Sequence, residues 1–354
     1  MSKITQLQSH LKVGEGMLIT SDANRLYFTN FKSSAGILFV TKESADFLID
    51  FRYFEKAQKT VQNCNVILLR KTEEQLRDLA LRHQVKTVYT ETTYLTVAEK
   101  GRFSKIFSDC ILSEEEALSQ IILTMRSIKS PVEIDSIKKA QKITDDTFSW
   151  ILGQIKPEKT EKEIALEMEF FLRKQGSEGV SFDFIVVSGK NSSLPHGVPT
   201  NKKIEVGDFV TMDFGAVVNG YRSDMTRTVA VGKVSDHQKN VYNTVLEAQE
   251  KALAAIKPQM ICKDIDAIAR NHIYSAGFEG RFGHGLGHSV GIEIHESPCF
   301  NLSDTTVLEP GMIITVEPGI YLPNEFGVRI EDMALVTESG YENLTKSTKE
   351  LIIL

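Results

Sequence analysis

Gly207-Asp208-Phe209-Val210-Thr211-Met212-Asp213-Phe214-Gly215, continuing as Ala216-Val217-Val218-Asn219-Gly220-Tyr221-Arg222-Ser223-Asp224, reads as two strands joined at Asn219-Gly220. Asn-Gly suits a two-residue hairpin turn because both central residues must take positive φ. Pairing Val218 with Tyr221 sets Gly215 opposite Asp224 and Asp213 opposite Thr226. Asp213 and Asp224 then share a face as diagonal neighbours, with backbones about 7–8 Å apart. A bulge at Gly215 would alter that register. Val210, Met212 and Phe214 make the other face apolar, as in an exposed hairpin whose acids are solvated. Phe209 and Val217, however, lie on the acid face, which favours burial, and buried acids resist ionisation without a counter-charge.

Three further segments extend the pattern. Phe282-Gly283-His284-Gly285-Leu286-Gly287-His288-Ser289-Val290-Gly291-Ile292-Glu293-Ile294-His295-Glu296 places three of the eight histidines within twelve residues, among four glycines. The glycines argue against a helix and let backbone approach a ligand closely. The HExxH arrangement is absent, since Ser297-Pro298 follows His295-Glu296. Ile313-Ile314-Thr315-Val316-Glu317-Pro318-Gly319-Ile320-Tyr321 reads as an apolar strand ending in an acid at a Pro-Gly turn. Gly327-Val328-Arg329-Ile330-Glu331-Asp332-Met333-Ala334-Leu335-Val336 reads as a strand with Arg329 and Glu331 on one face, where they could also form a plain ion pair. If Asp213, Asp224, His288, Glu317 and Glu331 converge, four carboxylates repel each other, and two divalent cations would remove the repulsion. If they are scattered, they are ordinary polar residues.

Composition sets the frame. A chain of 354 residues is comfortable for two domains. With 42% hydrophobic and 25% charged residues it is globular in character. A net charge of −6 gives no electrostatic case for nucleic acid or an anionic membrane. Lys138, Lys139 and Lys142 read as a solvated helix face. The four cysteines, Cys64, Cys110, Cys262 and Cys299, form no CxxC pair, so neither a disulfide framework nor a thiolate zinc site is expected. No signal-peptide core or membrane-length apolar run is present, and the expected location is the cytoplasm.

The first third alternates strands and helices: strands at 16–20, 36–40, 45–50, 66–69 and 85–89, with a helix at 73–83 between the last two. That order predicts a small α/β domain. A boundary falls between residues 118 and 130, after which the texture is α+β. Ile134, Ile137, Ala140 and Ile143 recur at helical spacing as a core stripe. Thr160 with Glu163 predicts a capping box opening a helix to about residue 175. Further helices are expected at 237–256 and 265–275.

With these segments in hand, the chain resembles the metallopeptidases of the pita-bread fold. Within that group it is similar to the proline peptidases, Xaa-Pro aminopeptidase and Xaa-Pro dipeptidase (prolidase). The order Asp, Asp, His, Glu, Glu in the contexts MDFG, SDMTRT, GHxxG, VEPGIY and VRIED carries the resemblance, which spans nearly the whole chain. YFTNF, SSAG and DFRY, between Tyr27 and Tyr53, are similar to the family's N-terminal domain. The resemblance implies an α+β protein with a pita-bread (creatinase/aminopeptidase-like) catalytic domain over residues 123–354 and a smaller N-terminal α/β domain over residues 1–122.

By the same resemblance Asp213 would chelate one metal ion, His288 and Glu317 the other, and Asp224 and Glu331 both. Arg329 would support Glu331 from behind, with Tyr321 beside it. His196, in Leu194-Pro195-His196-Gly197, matches a substrate-side histidine, and His284 and His295 match the two around the scissile bond. His295 is the candidate for steadying the oxyanion and Glu317 for carrying a proton to the prolyl nitrogen. The cofactor implied is a pair of divalent ions: manganese above all, since oxygen-rich ligation with one histidine suits a harder cation, with cobalt, zinc and iron as alternatives. The implied reaction is removal of an N-terminal residue from a peptide with proline second (Xaa-Pro aminopeptidase). The alternative is a prolidase restricted to dipeptides. Some prolidases carry an arginine directly after the HE-x-P segment to hold the substrate carboxylate. Cys299 and Phe300 stand there instead, which leans towards longer peptides. A metal-free peptide-binding module of the same fold, and a creatinase-like amidinohydrolase, are both opposed by the full set of five ligands. A homodimer is the implied assembly.

Overall fold

The computed structural model describes residues 2–354, in two compact units that meet in sequence between Met125 and Arg126. The first unit is built on a six-stranded mixed sheet. Its strand order is Asn65–Leu68, Ala45–Ile49, Ile37–Thr41, Glu15–Ile19, Thr87–Thr90, Ile111–Leu112. The inner strands Ile37–Thr41 and Ala45–Ile49 are buried along their whole length, as strands covered on both faces must be. Leu18, Phe39 and Leu48 of the sheet form one core with Leu76, Leu79 and Phe103 of the helices Thr72–Arg82 and Val97–Ile106.

The second unit carries four long helices: Pro131–Ile151, Glu161–Lys174, Asp236–Ala255 and Cys262–Ile273. Their starts are written in local chemistry. Ser130 with Glu133, Thr160 with Glu163, and Ser235 with Gln238 each close a capping box, and Pro131 occupies the first turn. The last helix begins three residues before its expected start, at Cys262.

Asp213 lies on the strand Phe209–Phe214, the centre of a three-stranded antiparallel sheet between Met225–Ala230 and Ile185–Ser188. The hairpin register is the expected one. Val218 pairs with Tyr221 and Asp213 with Thr226, and Asn219 and Gly220 both have positive φ. The ladder pauses at Gly215 but keeps its register on both sides, so there is no bulge. A Cβ on Gly215 would lie 1.8 Å from the Ser223 carbonyl oxygen, so only glycine fits where the strands draw together beside Asp224. Both faces of this hairpin are covered. Val210, Met212 and Phe214 pack with Phe148, Ile164 and Met168, while Phe209 packs with Tyr242 and Val245 on the other side.

The other acids sit on a second ladder, which corrects two readings of the sequence. Pro318-Gly319 is not a turn, and no unbroken strand joins Arg329 to Glu331. The strand Ile313–Val316, in a five-stranded sheet, gives way at Glu317-Pro318 to Gly319–Leu322, which pairs with Phe326–Arg329. The chain returns through Ile330-Glu331 to Asp332–Val336, which pairs with Ile313–Val316. The register is the same on either side of this break, so Glu317 falls opposite Glu331. Both acids occupy the two-residue steps where the backbone passes between sheets.

Replacing Gly215 by Ala should cost about 1–3 kcal/mol in urea unfolding, because backbone must move to admit the methyl group. An unchanged midpoint and slope would contradict the close approach of the two strands.

Candidate metal centre

Asp213, Asp224, His288, Glu317 and Glu331 line one cavity of about 740 Å³. The hairpin supplies the two aspartates and the second ladder the two glutamates. His288 comes from the short strand Gly287–Ser289, which pairs with both Glu296–Phe300 and Ile313–Val316. Asp224, His288 and Glu331 each offer a ligand atom, all within 4.8 Å of one another. His288 Nε2 lies 3.6 Å from Asp224 Oδ2 and 3.4 Å from Glu317 Oε1.

The donor set suits cations. Asp213 Oδ1, Asp224 Oδ1 and Glu331 Oε1 are buried and accept no hydrogen bond from the protein. Each such atom costs about 1–3 kcal/mol, and more when charged. Burial raises Asp224 well above the ordinary aspartate range, with Glu331 and Asp213 adding to the effect. Burial likewise raises Glu331, reinforced by Glu317 and Asp213. Glu317 is pushed up to about 8 by burial, with Arg329 opposing and Asp213 adding. These groups cannot all ionise without positive charge supplied at their free oxygens.

Arg329 is the buried cation of the cluster, and its main partner is not Glu331. Its Nη2 donates to Asp213 Oδ2 at 2.6 Å, and its Nη1 donates to Tyr321 Oη at 2.9 Å. It reaches Glu331 through Thr226: Arg329 Nε donates to the Thr226 hydroxyl at 3.0 Å, which donates to Glu331 Oε2 at 2.8 Å. Thr226, and Thr315, which donates to Glu317 at 3.4 Å and accepts from the His288 amide at 3.0 Å, were missed in reading the sequence. Both were findable. Thr226 is the register partner of Asp213, and Thr315 shares a strand face with the position of Glu317.

The histidines divide by their hydrogen bonds. His288 is held to about 4 by burial and by His295, so its ring is neutral. Its Nδ1 faces the Ser289 carbonyl oxygen at 3.1 Å and must carry the proton there, which leaves the Nε2 lone pair facing the carboxylates. His284, also lowered to about 4 by burial and by Arg329, has both nitrogens engaged. Nδ1 donates to the Gly285 carbonyl at 2.8 Å, and Nε2 accepts from Tyr321 Oη at 2.9 Å. His284 can therefore meet a ligand only by giving up its Tyr321 bond. His196 and His295 line the same cavity and are exposed, and the His295 ring packs edge-on against His288 with centroids 4.5 Å apart. Phe182, Phe184, Ile185, Val198 and Ile294 form an apolar wall.

A carboxyl raised on folding stabilises the protein below its unfolded value and loses that contribution as pH rises through its folded value. Chelator-treated protein should therefore lose stability relative to its Glu317→Gln variant as pH rises from about 5 to about 8. Parallel curves for the two proteins, followed by urea unfolding at each pH, would contradict the placement of Glu317 in an uncompensated acidic cluster.

Comparison with known proteins agrees with this geometry. Residues 135–338 match Metallopeptidase family M24, and residues 6–128 match the Creatinase/Prolidase N-terminal domain. The chain is 39% identical to the Xaa-Pro dipeptidase of Pyrococcus horikoshii, over 96% of this chain and 94% of that one. The structure of an Xaa-Pro dipeptidase from Bacillus anthracis is similar with a TM-score of 0.95 and 42% identity, covering 99% of each chain. An X-Pro aminopeptidase from Thermotoga maritima follows with a TM-score of 0.91 and 34% identity, over 98% of this chain and all of the other. The fold is the two-domain pita-bread arrangement expected from the sequence. The chain belongs to Metallopeptidase family M24 and is a metallopeptidase.

Proposed function

We propose that this chain is a dinuclear-metal Xaa-Pro dipeptidase, cleaving the bond between an N-terminal residue and a C-terminal proline. The convergence of Asp224, His288 and Glu331, with unpartnered buried oxygens on three carboxylates of the same cavity, carries the metal part of this reading. Likeness along the whole chain to Xaa-Pro dipeptidases supports the substrate part. Asp213, Asp224, His288, Glu317 and Glu331 would hold two divalent cations, manganese by the hardness of the donor set. When bound, the pair lowers the pKa of a water and polarises the scissile carbonyl.

The remaining chemistry falls to the chain. Glu317, at the cavity beside His288, would take the water's proton and pass it to the prolyl nitrogen. His295, at the cavity wall, donates a ring N–H to the carbonyl oxygen as negative charge develops there. His196, which lines the same cavity, would face the substrate, and His284 fixes Tyr321, which with Thr226 holds Arg329 against Asp213. The apolar wall of Phe182, Phe184, Ile185 and Ile294 excludes water and suits the pyrrolidine ring.

One observation favours a second reading, Xaa-Pro aminopeptidase. Among the described residues lining the cavity, Arg329 is the sole Lys or Arg, and its nitrogens are committed to Asp213, Tyr321, Thr226 and the Pro195 carbonyl. The free carboxylate of a dipeptide finds no unengaged guanidinium or ammonium there, whereas a longer peptide would not need one.

Comparing kcat/KM for Ala-Pro and Ala-Pro-Ala on manganese-loaded protein separates the two. A dipeptide preference of tenfold or more is expected, and a reversed ratio would replace the dipeptidase by the aminopeptidase. Asp224→Ala should abolish turnover of both peptides while the circular dichroism spectrum stays close to that of the parent. Near-normal turnover in that variant would rule out the two-metal assignment itself.

A further inference from the structure

The turn between the strands Gly287–Ser289 and Glu296–Phe300 carries His295 to the cavity, yet among the described residues no hydrogen bond reaches the His295 ring. Its ring contact is the edge-on packing against His288. The position of this imidazole is therefore set by the backbone of the turn. That backbone is held from within by charge. The Glu296 carboxylate is buried, and its Oε1 accepts from the Glu293 amide at 3.2 Å and from Arg126 Nη2. Glu296 Oε2 lies 3.3 Å from Lys129 Nζ. Arg126 also pairs with Glu293 Oε2 at 2.7 Å, and Lys129 donates to Ser289 Oγ at 2.9 Å. Two cations from residues 126–129 thus tie together the beginning, middle and end of the turn.

The fit is close. A Cβ on Gly291 would lie 2.4 Å from Glu296 Oε2 and 2.6 Å from its carboxyl carbon. On the other flank Arg222 donates its amide to the Gly291 carbonyl at 2.8 Å and its Nε to the Ile292 carbonyl at 2.9 Å. Burial alone would raise Glu296, but Lys129 and Arg126 outweigh it and hold the carboxylate below its ordinary value. Buried ion pairs contribute little net stability compared with a well-packed apolar core; what they can supply is a single defined geometry.

We propose that Arg126, Lys129 and Glu296 are positioning residues: a buried ionic clamp that fixes the 290–295 turn and thereby sets where the His295 ring meets the substrate carbonyl. The proposal rests on the reading of His295 as a substrate-side group. It makes a specific demand on kinetics, because a clamp acting through His295 must lose its influence once that imidazole is gone.

The test is a double-mutant cycle on manganese-loaded, full-length protein with Ala-Pro as substrate. Arg126→Met removes the shared cation. Gly291→Ala leaves every charge in place and pushes on the Glu296 carboxylate, so it carries the same cycle if the first variant does not fold. Either change is expected to lower kcat tenfold or more with KM within about threefold, as a misplacement of about 1 Å can. In a His295→Ala background the same change should cost less than about threefold. Equal losses in both backgrounds, or no loss in the parent, would overturn the clamp. Unaltered turnover in His295→Ala alone would instead remove the reading of His295 beneath it.

Discussion

Carboxylate crowding in one cavity is the constraint on which the catalytic unit depends. Asp213, Asp224 and Glu331 are buried, each with an oxygen that no protein group satisfies, and Glu317 stands opposite Glu331 across an interrupted ladder. A single guanidinium, Arg329, meets this charge directly at Asp213 and indirectly at Glu331. One cation cannot balance four acids, and the raised pKa values of Asp224, Glu317 and Glu331 express the deficit. Two divalent ions would balance it. In their absence the fold carries a cost that the surrounding packing must offset.

The arrangement is built by two ladders that each break at the site. In the first, register continues past Gly215, and the glycine lets the strands approach beside Asp224. In the second, the backbone crosses between sheets at Glu317-Pro318 and at Ile330-Glu331. An acid at such a step is free of the strict up–down alternation of a regular strand, so its side chain can be aimed at a common point. His288 joins from a third segment with its proton fixed on Nδ1 by the Ser289 carbonyl, which leaves the Nε2 lone pair free to ligate.

What could be read in the sequence was local. Asn219-Gly220 determined the hairpin and its register, and Thr160 with Glu163 fixed a helix start, because those signals act over a few residues. The five-residue set itself was legible only partly in this way: the hairpin related Asp213 to Asp224, while the remaining three depended on resemblance. The pairing of Glu317 with Glu331 was hidden because Pro318-Gly319 looks like a turn and is a crossing between sheets. The partner of Arg329 was hidden too, since Asp213 lies 116 residues away while Glu331 is next but one. The clamp on the 290–295 turn joins groups 170 residues apart and has no local signature. Cys299 and Phe300, after the HE-x-P segment, favour longer peptides, whereas the chain is similar along its whole length to Xaa-Pro dipeptidases.

The most direct measurement is metal stoichiometry at the site. Crystals of the protein grown with manganese, with data collected to give anomalous differences, should show two peaks among Asp213, Asp224, His288, Glu317 and Glu331, and elemental analysis of the same protein should give two equivalents per chain. A single peak, or ions bound elsewhere while those carboxylates stay unpaired, would contradict the view that this acidic cavity exists to hold two cations.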